Sequence, residues 1–285
     1  MTAEAARERK RVPWRAALLG FVTPGLGHLY CGRPLRGLSV HAVAWCFWAV
    51  VLLAFFLPFP PFNVVVPLAA LFLVWALILR DAMSCARAAG LTYRLKRYNR
   101  WYVYLVVFGV AAVEQEAVAI VIRTHLAQAF KFPSSSMAPT LLIGDHLIVD
   151  KRAYNLREPQ RGDLVVFIYP PDRSKVFIKR VIGLPGETVE LRNKHVLING
   201  SEVGDSHAKF SDDDRIVAPR DSMAPFSLPH GSYFVVGDNR DRSYDSRFWG
   251  PVAREDLLGR ARVIYFSWDT DASRVRWDRI GRLLE

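Results

Sequence analysis

The chain has 285 residues, 51% of them hydrophobic, and a formal net charge of +11. That length allows one or two domains with a real core, but the apolar residues concentrate before about residue 121, which excludes a uniformly soluble chain. The positive charge sits beside apolar segments, in ARERKRVPWR and RLKRYNR, and so points to a membrane surface rather than to nucleic acid.

All three cysteines (Cys31, Cys46 and Cys85) precede residue 86. The later part of the chain therefore has no disulfide, thiol nucleophile or cysteine-based zinc cluster. The head carries Arg7, Arg9, Lys10, Arg11 and Arg15. No short apolar core with a small-residue cleavage site follows it, so a cleavable signal peptide is not expected. Residues 23–37, TPGLGHLYCGRPLRG, are too few and too glycine-rich to span a bilayer. They read as a cytoplasmic or interfacial turn packed on the helices that follow. His28 and Cys31 are metal-ligand residue types, but the local sequence gives them no partners.

Residues 38–62 carry no Asp, Glu, Lys or Arg, and a spanning helix needs about 20 such residues. Residues 62–79 form a second, slightly shorter candidate, and the uncharged PFPPFN between them reads as the turn of a transmembrane hairpin. A third candidate anchor covers residues 101–123, interrupted by the EQE of Glu114 to Glu116. Charge at mid-bilayer costs several kcal/mol, so this triplet is expected near an interface, against another helix, or in a tilted helix. Arg80, Arg87, Arg94, Lys96, Arg97 and Arg100 lie between the second and third spans, whereas the hairpin turn has no positive charge. The positive-inside rule then puts the N-terminus and the 80–100 loop in the cytoplasm and everything after about Arg123 outside it. The domain reading is a membrane region over residues 1–100, an anchor over 101–123 and an outer domain over 124–285.

From Leu147 onward the pattern changes to short β-branched runs: LIVDK, DLVVFIY, KVFIKRVIG, ETVEL, HVLING, SYFVVGD and RVIYFS. Turns rich in Gly, Pro, Asn and Asp separate them, as in a mostly antiparallel sheet or folded barrel. The fold class is thus N-terminal transmembrane helices followed by a mostly-β extracytoplasmic domain. Residues 201–230 show little periodicity and read as an excursion.

Three segments of that domain carry chemistry. PSSSMAPT, residues 133–140, reads either as a linker or as the seat of a nucleophilic hydroxyl, which needs a base and oxyanion donors. No G-x-S-x-G elbow is present, and His146, His195, His207 and His230 each stand alone. A Ser-Lys dyad is the other option; its lysine must be neutral, so burial has to lower a pKa of about 10.4. Strand alternation groups Phe177, Lys179 and Val181 on one face and Ile178 and Arg180 on the other. That pattern suits a desolvated Lys179, and equally a surface lysine snorkelling from its strand. The third segment, GDNRDRSYDSRFWG, residues 237–250, alternates acids with arginines. It reads as an ion-paired scaffold beside a site, because it lacks the glycine and terminal glutamate of a calcium loop.

Together and in this order, FPSSSMAPTLLIGDHLIV, FIKRVIGLPGE and GDNRDRSYDSRFWG resemble the motifs of bacterial signal peptidase I, the membrane-bound leader peptidase. The resemblance runs from roughly residue 120 to the C-terminus. It implies Ser136 as nucleophile, Lys179 as general base, Ser134 as an oxyanion donor, and Ser243 as the residue that orients the lysine. It further implies Asp245 and Arg247 as a supporting ion pair, and Phe132, Met137, Leu141 and Ile178 as walls of shallow pockets for small side chains. The implied reaction is hydrolysis of exported preproteins after A-x-A-like sites at the bilayer surface, with the substrate added as an extended strand. No metal or cofactor is called for. The implied location is the bacterial cytoplasmic membrane, multi-pass, with the catalytic domain outside; oligomeric state is left open. Ser135 stands where the family uses glycine, the N-terminal hairpin is extra, and the EQE triplet is unusual. A maturation peptidase of narrow range, or a membrane-anchored scaffold with an inactive peptidase domain, are the alternative readings.

Overall fold

A computed structural model describes residues 8–54, 62–89, 93–155, 157–212 and 215–284. The chain divides into two compact units, Met1–Val118 and Ala119–Glu285. The turn PFPPFN lies mostly outside the described residues.

The first unit is built of helices. A short antiparallel pair, β1 (Glu8–Arg9) with β2 (Tyr93–Arg94), accompanies α1 (Pro13–Val22), α2 (Leu26–Tyr30), α3 (Pro34–Ala54), α4 (Phe62–Ala88) and α5 (Trp101–Val121). Pro13 opens α1, where its missing N–H has no intrahelical partner to lose. Residues 23–37 are more ordered than a turn: they contain all of α2 and the start of α3. Among the described residues, three stretches are long and apolar enough to cross a membrane, Pro34–Val51, Ala69–Ala88 and Trp101–Leu126. The second runs about nine residues past the apolar boundary read from sequence. Arg80, Asp81 and Arg87 end the hydrophobic run, but none of them interrupts helical backbone. The EQE triplet also finds its setting: Glu114 on α5 pairs with His41 on α3 at 2.9 Å, so its charge faces another helix.

The second unit is mostly antiparallel β. One sheet has the order β12 (Val252–Ala253), β11 (Ser232–Val236), β6 (Val176–Gly183), β5 (Leu164–Ile168), β13 (Leu257–Asp269), β4 (Asp145–Asp150), β3 (Ala127–Lys131), with β14 (Arg274–Val275) also on β13. Strand β13 pairs with β5 at its start and β4 further on, and register shifts along it bend the sheet. The end strands β12 and β3 are not paired with each other, so the sheet stays open where a folded barrel would close. A second sheet runs β10 (Met223–Ser227), β7 (Thr188–Arg192), β8 (His195–Ile198), β9 (Ser201–Glu202). The excursion at 201–230 therefore contributes both edge strands of this sheet. Strand β6 is buried on both faces beyond its first two residues, which is why polar alternation does not identify its exposed side.

Candidate active site

The segment at residues 133–140 is fixed from below. After β3 the chain turns at Ser135–Thr140, and Met137 and Leu141 drop into a core with Phe132, Leu147, Leu164, Ile178 and Ile264. Burying such a side chain is worth about 1.5–3 kcal/mol, so this turn is anchored rather than a linker. Its far end is clamped by Asp145, which accepts from the Leu142 amide at 2.8 Å and from Ser267 Oγ at 2.7 Å. Arg279 donates to Asp145 at 2.6 Å and to the Thr140 carbonyl at 2.9 Å.

Lys179 reaches this turn from β6. Its Nζ lies 2.5 Å from Ser136 Oγ, and both residues are almost fully buried, at 4% and 5% exposure. Burial drives the lysine pKa down from 10.5 to about 8, with nearby Asp245 opposing that fall and Arg247 assisting it. At pH 7 about a tenth of the amine is then neutral, far more than at the ordinary lysine value, and its burial excludes the snorkelling-lysine reading.

The loop after β11 closes the site. Gly237 has no room for a Cβ, which would collide with Ser243 Oγ and the Ser136 carbonyl oxygen. Glycine here is what lets the 237–250 segment lie against the nucleophile. Asn239 then donates from its backbone to the Ser136 carbonyl and from Nδ2 to the Ser135 carbonyl, each at 3.1 Å. Asp238 accepts from Arg180 Nε and Nη2, both at 2.8 Å, and from Thr140 Oγ1 at 2.6 Å. One carboxylate thus ties the lysine strand to the nucleophile turn. Arg247 grips Asp245 through Nε and Nη2 at 2.8 and 2.9 Å. Burial alone would raise the Asp245 carboxyl, but these bonds hold it below the usual carboxylate range. Further along, Arg240 meets Asp205, and Asp241 accepts from the Ser211 and Asp212 amides, stitching the excursion to the same loop.

Several residues named from sequence stand differently from that reading. Ser134 Oγ accepts from the Ser136 amide at 3.1 Å, so the two groups face each other rather than a common point. Ser243 is buried beside Gly237, but its Oγ makes no hydrogen bond, to Lys179 or to any other described residue; its nearness is a lesser influence on the Asp245 carboxyl. A cleft of about 260 Å³ opens beside Ser136 and Lys179, with Phe132 and Ile178 among its walls together with Phe130, Val176 and Tyr244. Met137 and Leu141 are not walls: both are at 0% exposure beneath the site, because the turn after Ser136 aims them into the core. Ser135 is exposed and does not have a positive φ; the non-glycine residues that do are Asn193, Lys194, Asn199 and Ser273. Serine is therefore unstrained at this position.

The contributions of Gly237, Asp238 and Arg180 do not appear in the sequence reading. The signal for the ion pair was available: Arg180 directly follows Lys179, and an arginine buried on a strand requires a carboxylate.

Comparison with known proteins bears on this arrangement. The family model described as "Signal peptidase, peptidase S26" matches residues 100–268. A probable signal peptidase I-2 of Synechocystis sp. is 46% identical over 165 residues, covering 55% of this chain and 72% of the relative. Signal peptidase I of Leptolyngbya laminosa is 44% identical over 157 residues, covering 52% and 73%. Signal peptidase I of Aquifex aeolicus is 36% identical over 200 residues, covering 51% and 78%.

Proposed function

The chain belongs to the S26 signal peptidase family, and from that premise we propose that Ser136 and Lys179 are the dyad by which it works. It is a serine peptidase, a hydrolase that removes signal peptides. The observation that carries the dyad is the 2.5 Å approach of a buried lysine to a buried serine hydroxyl.

Neutral Nζ takes the Ser136 proton as Oγ attacks the scissile carbonyl. The resulting oxyanion accepts from the Ser136 amide, and the Ser134 hydroxyl turns to donate to it as well; one such donor is worth roughly 3 kcal/mol. The ammonium of Lys179 then returns its proton to the leaving amine. Water, deprotonated by the same Nζ, attacks the acyl-enzyme and frees Ser136. Asp245 and Arg247 hold the 237–250 loop, where the buried Ser243 hydroxyl, without a hydrogen-bond partner among the described residues, is the group to orient the lysine amine.

The small cleft suits small side chains, as in A-x-A-type sites of exported preproteins. The edge strand β3 and residues 176–179 of β6, which β11 leaves unpaired, offer backbone groups to an extended substrate. The basic loops assign the N-terminus and residues 80–100 to the cytoplasmic side of the bilayer and the peptidase unit to the opposite side.

Purified full-length chain in detergent is expected to cleave a preprotein, and Ser136→Ala and Lys179→Ala each to lose activity by about 10⁴-fold or more. Cleavage retained in either variant would overturn the dyad.

A further inference from the structure

Outside the peptidase unit, the helical unit gathers metal-ligating groups that the sequence keeps apart. His28 and Cys31 lie one turn apart at α2, and Asp81 and Cys85 lie one turn apart on α4. A ring nitrogen of His28, a carboxylate oxygen of Asp81 and Cys85 Sγ all fall within 4.8 Å of one another. Cys31 shares a buried cluster with Cys85, Ala16, Ala82 and Ala86. His28 is completely buried, and its Nδ1 has no hydrogen-bond partner among the described residues.

A hydrogen-bonded histidine accounts for part of this, since Nε2 lies 2.7 Å from Asp81 Oδ2. It leaves the second ring nitrogen idle and does not explain Cys85, whereas the Cys31 thiol donates to the Ala82 carbonyl at 3.8 Å. We propose that His28, Asp81 and Cys85 bind a zinc-class divalent cation that fastens α2 to α4. Imidazole, thiolate and carboxylate together suit zinc, and ligands at bond lengths of about 2.0–2.3 Å lie about 3.5 Å apart. The observed spacing closes to that by side-chain rotation. Arg36, which donates to both Asp81 oxygens at 2.6 and 3.0 Å, becomes the outer partner that orients the carboxylate.

Cobalt(II) is the probe, added to chelator-treated, tag-free full-length chain in detergent. One equivalent is expected to produce the thiolate-to-cobalt charge-transfer absorption, and added zinc to bleach it. Cys85→Ser is expected to abolish the band, His28→Gln to weaken cobalt binding at least about tenfold, and Arg36→Gln to weaken it about 10–100-fold. Cys46→Ser is expected to leave the band intact, because Cys46 is exposed and apart from the cluster. Helical circular dichroism separates ligand loss from misfolding in each variant. No thiolate band in the unmutated chain, or a band lost in Cys46→Ser and kept in Cys85→Ser, overturns the proposal.

Discussion

On one face of β6 the Lys179 amine meets Ser136 Oγ and, among the described residues, no carboxylate at hydrogen-bonding distance. On the other face, one residue on, Arg180 is at 1% exposure and is held by both oxygens of Asp238. Burial is nearly the same, and the chemistry is opposite. Lysine is a group whose proton can be stripped by desolvation, so leaving it without a close counterion makes a base. Arginine does not serve that purpose, and its charge is matched to a carboxylate that also holds Thr140. The strand therefore carries a reactive cation and a structural one back to back, and the structural one fixes the distance across which the reactive one works.

Breaking the structural face should have the largest effect on stability. Asp238→Ala takes away the carboxylate that the buried Arg180 is bound to and is expected to lower stability by about 3–5 kcal/mol in urea unfolding. Adding Arg180→Met should recover most of that loss, since a buried pair replaced by an apolar residue is often neutral. If the single variant unfolds like the parent, Asp238 is not what joins the two segments.

Breaking the reactive face should do the reverse. A folded pKa of about 8, below the ordinary lysine value of 10.5, means that carrying the proton on Lys179 opposes folding below pH 8. That penalty fades as pH rises from about 8 to 10.5. Lys179→Met is therefore expected to gain up to about 3 kcal/mol at pH 7, and progressively less toward pH 10. The same group should govern rate: kcat/KM is expected to rise about tenfold per pH unit below pH 8 and level off above it. A profile flat from pH 5 to 9 would remove lysine as the base.

What was legible in the sequence followed how local each feature is. The three motif segments and seven strands could be read because their signals lie within a few residues of one another. The family resemblance implies Met137 and Leu141 as pocket walls, but it does not give the direction in which the turn aims their side chains, which here is into the core. The bond between Arg180 and Asp238 spans 58 positions and depends on the register of β6 with β11, which no local pattern encodes. His28 lies 53 positions from Asp81, and only the packing of α2 on α4 supplies the partners that its own stretch lacks. The open sheet depends likewise on which edges pair, a matter of tertiary contact rather than of strand composition.

The smallest expected effect belongs to the residue that most departs from the family pattern. A glycine is required where backbone adopts positive φ or where another chain crowds the Cβ. Ser135 meets neither condition: its φ is not positive and it is exposed. Only its carbonyl is engaged, by Ala138 N and Asn239 Nδ2, each at 3.1 Å, and glycine would present that carbonyl equally well. Ser135→Gly should therefore change stability by under about 1 kcal/mol, in the destabilising direction, through the greater freedom of the unfolded chain. Cleavage of a preprotein should change little. A clear gain in kcat with unchanged KM would mean that the transition state draws residue 135 into backbone angles the free enzyme does not use. The Ser136 end of the turn, facing Lys179, would then move during the reaction, while its Thr140 end stays pinned through Asp238 to Arg180.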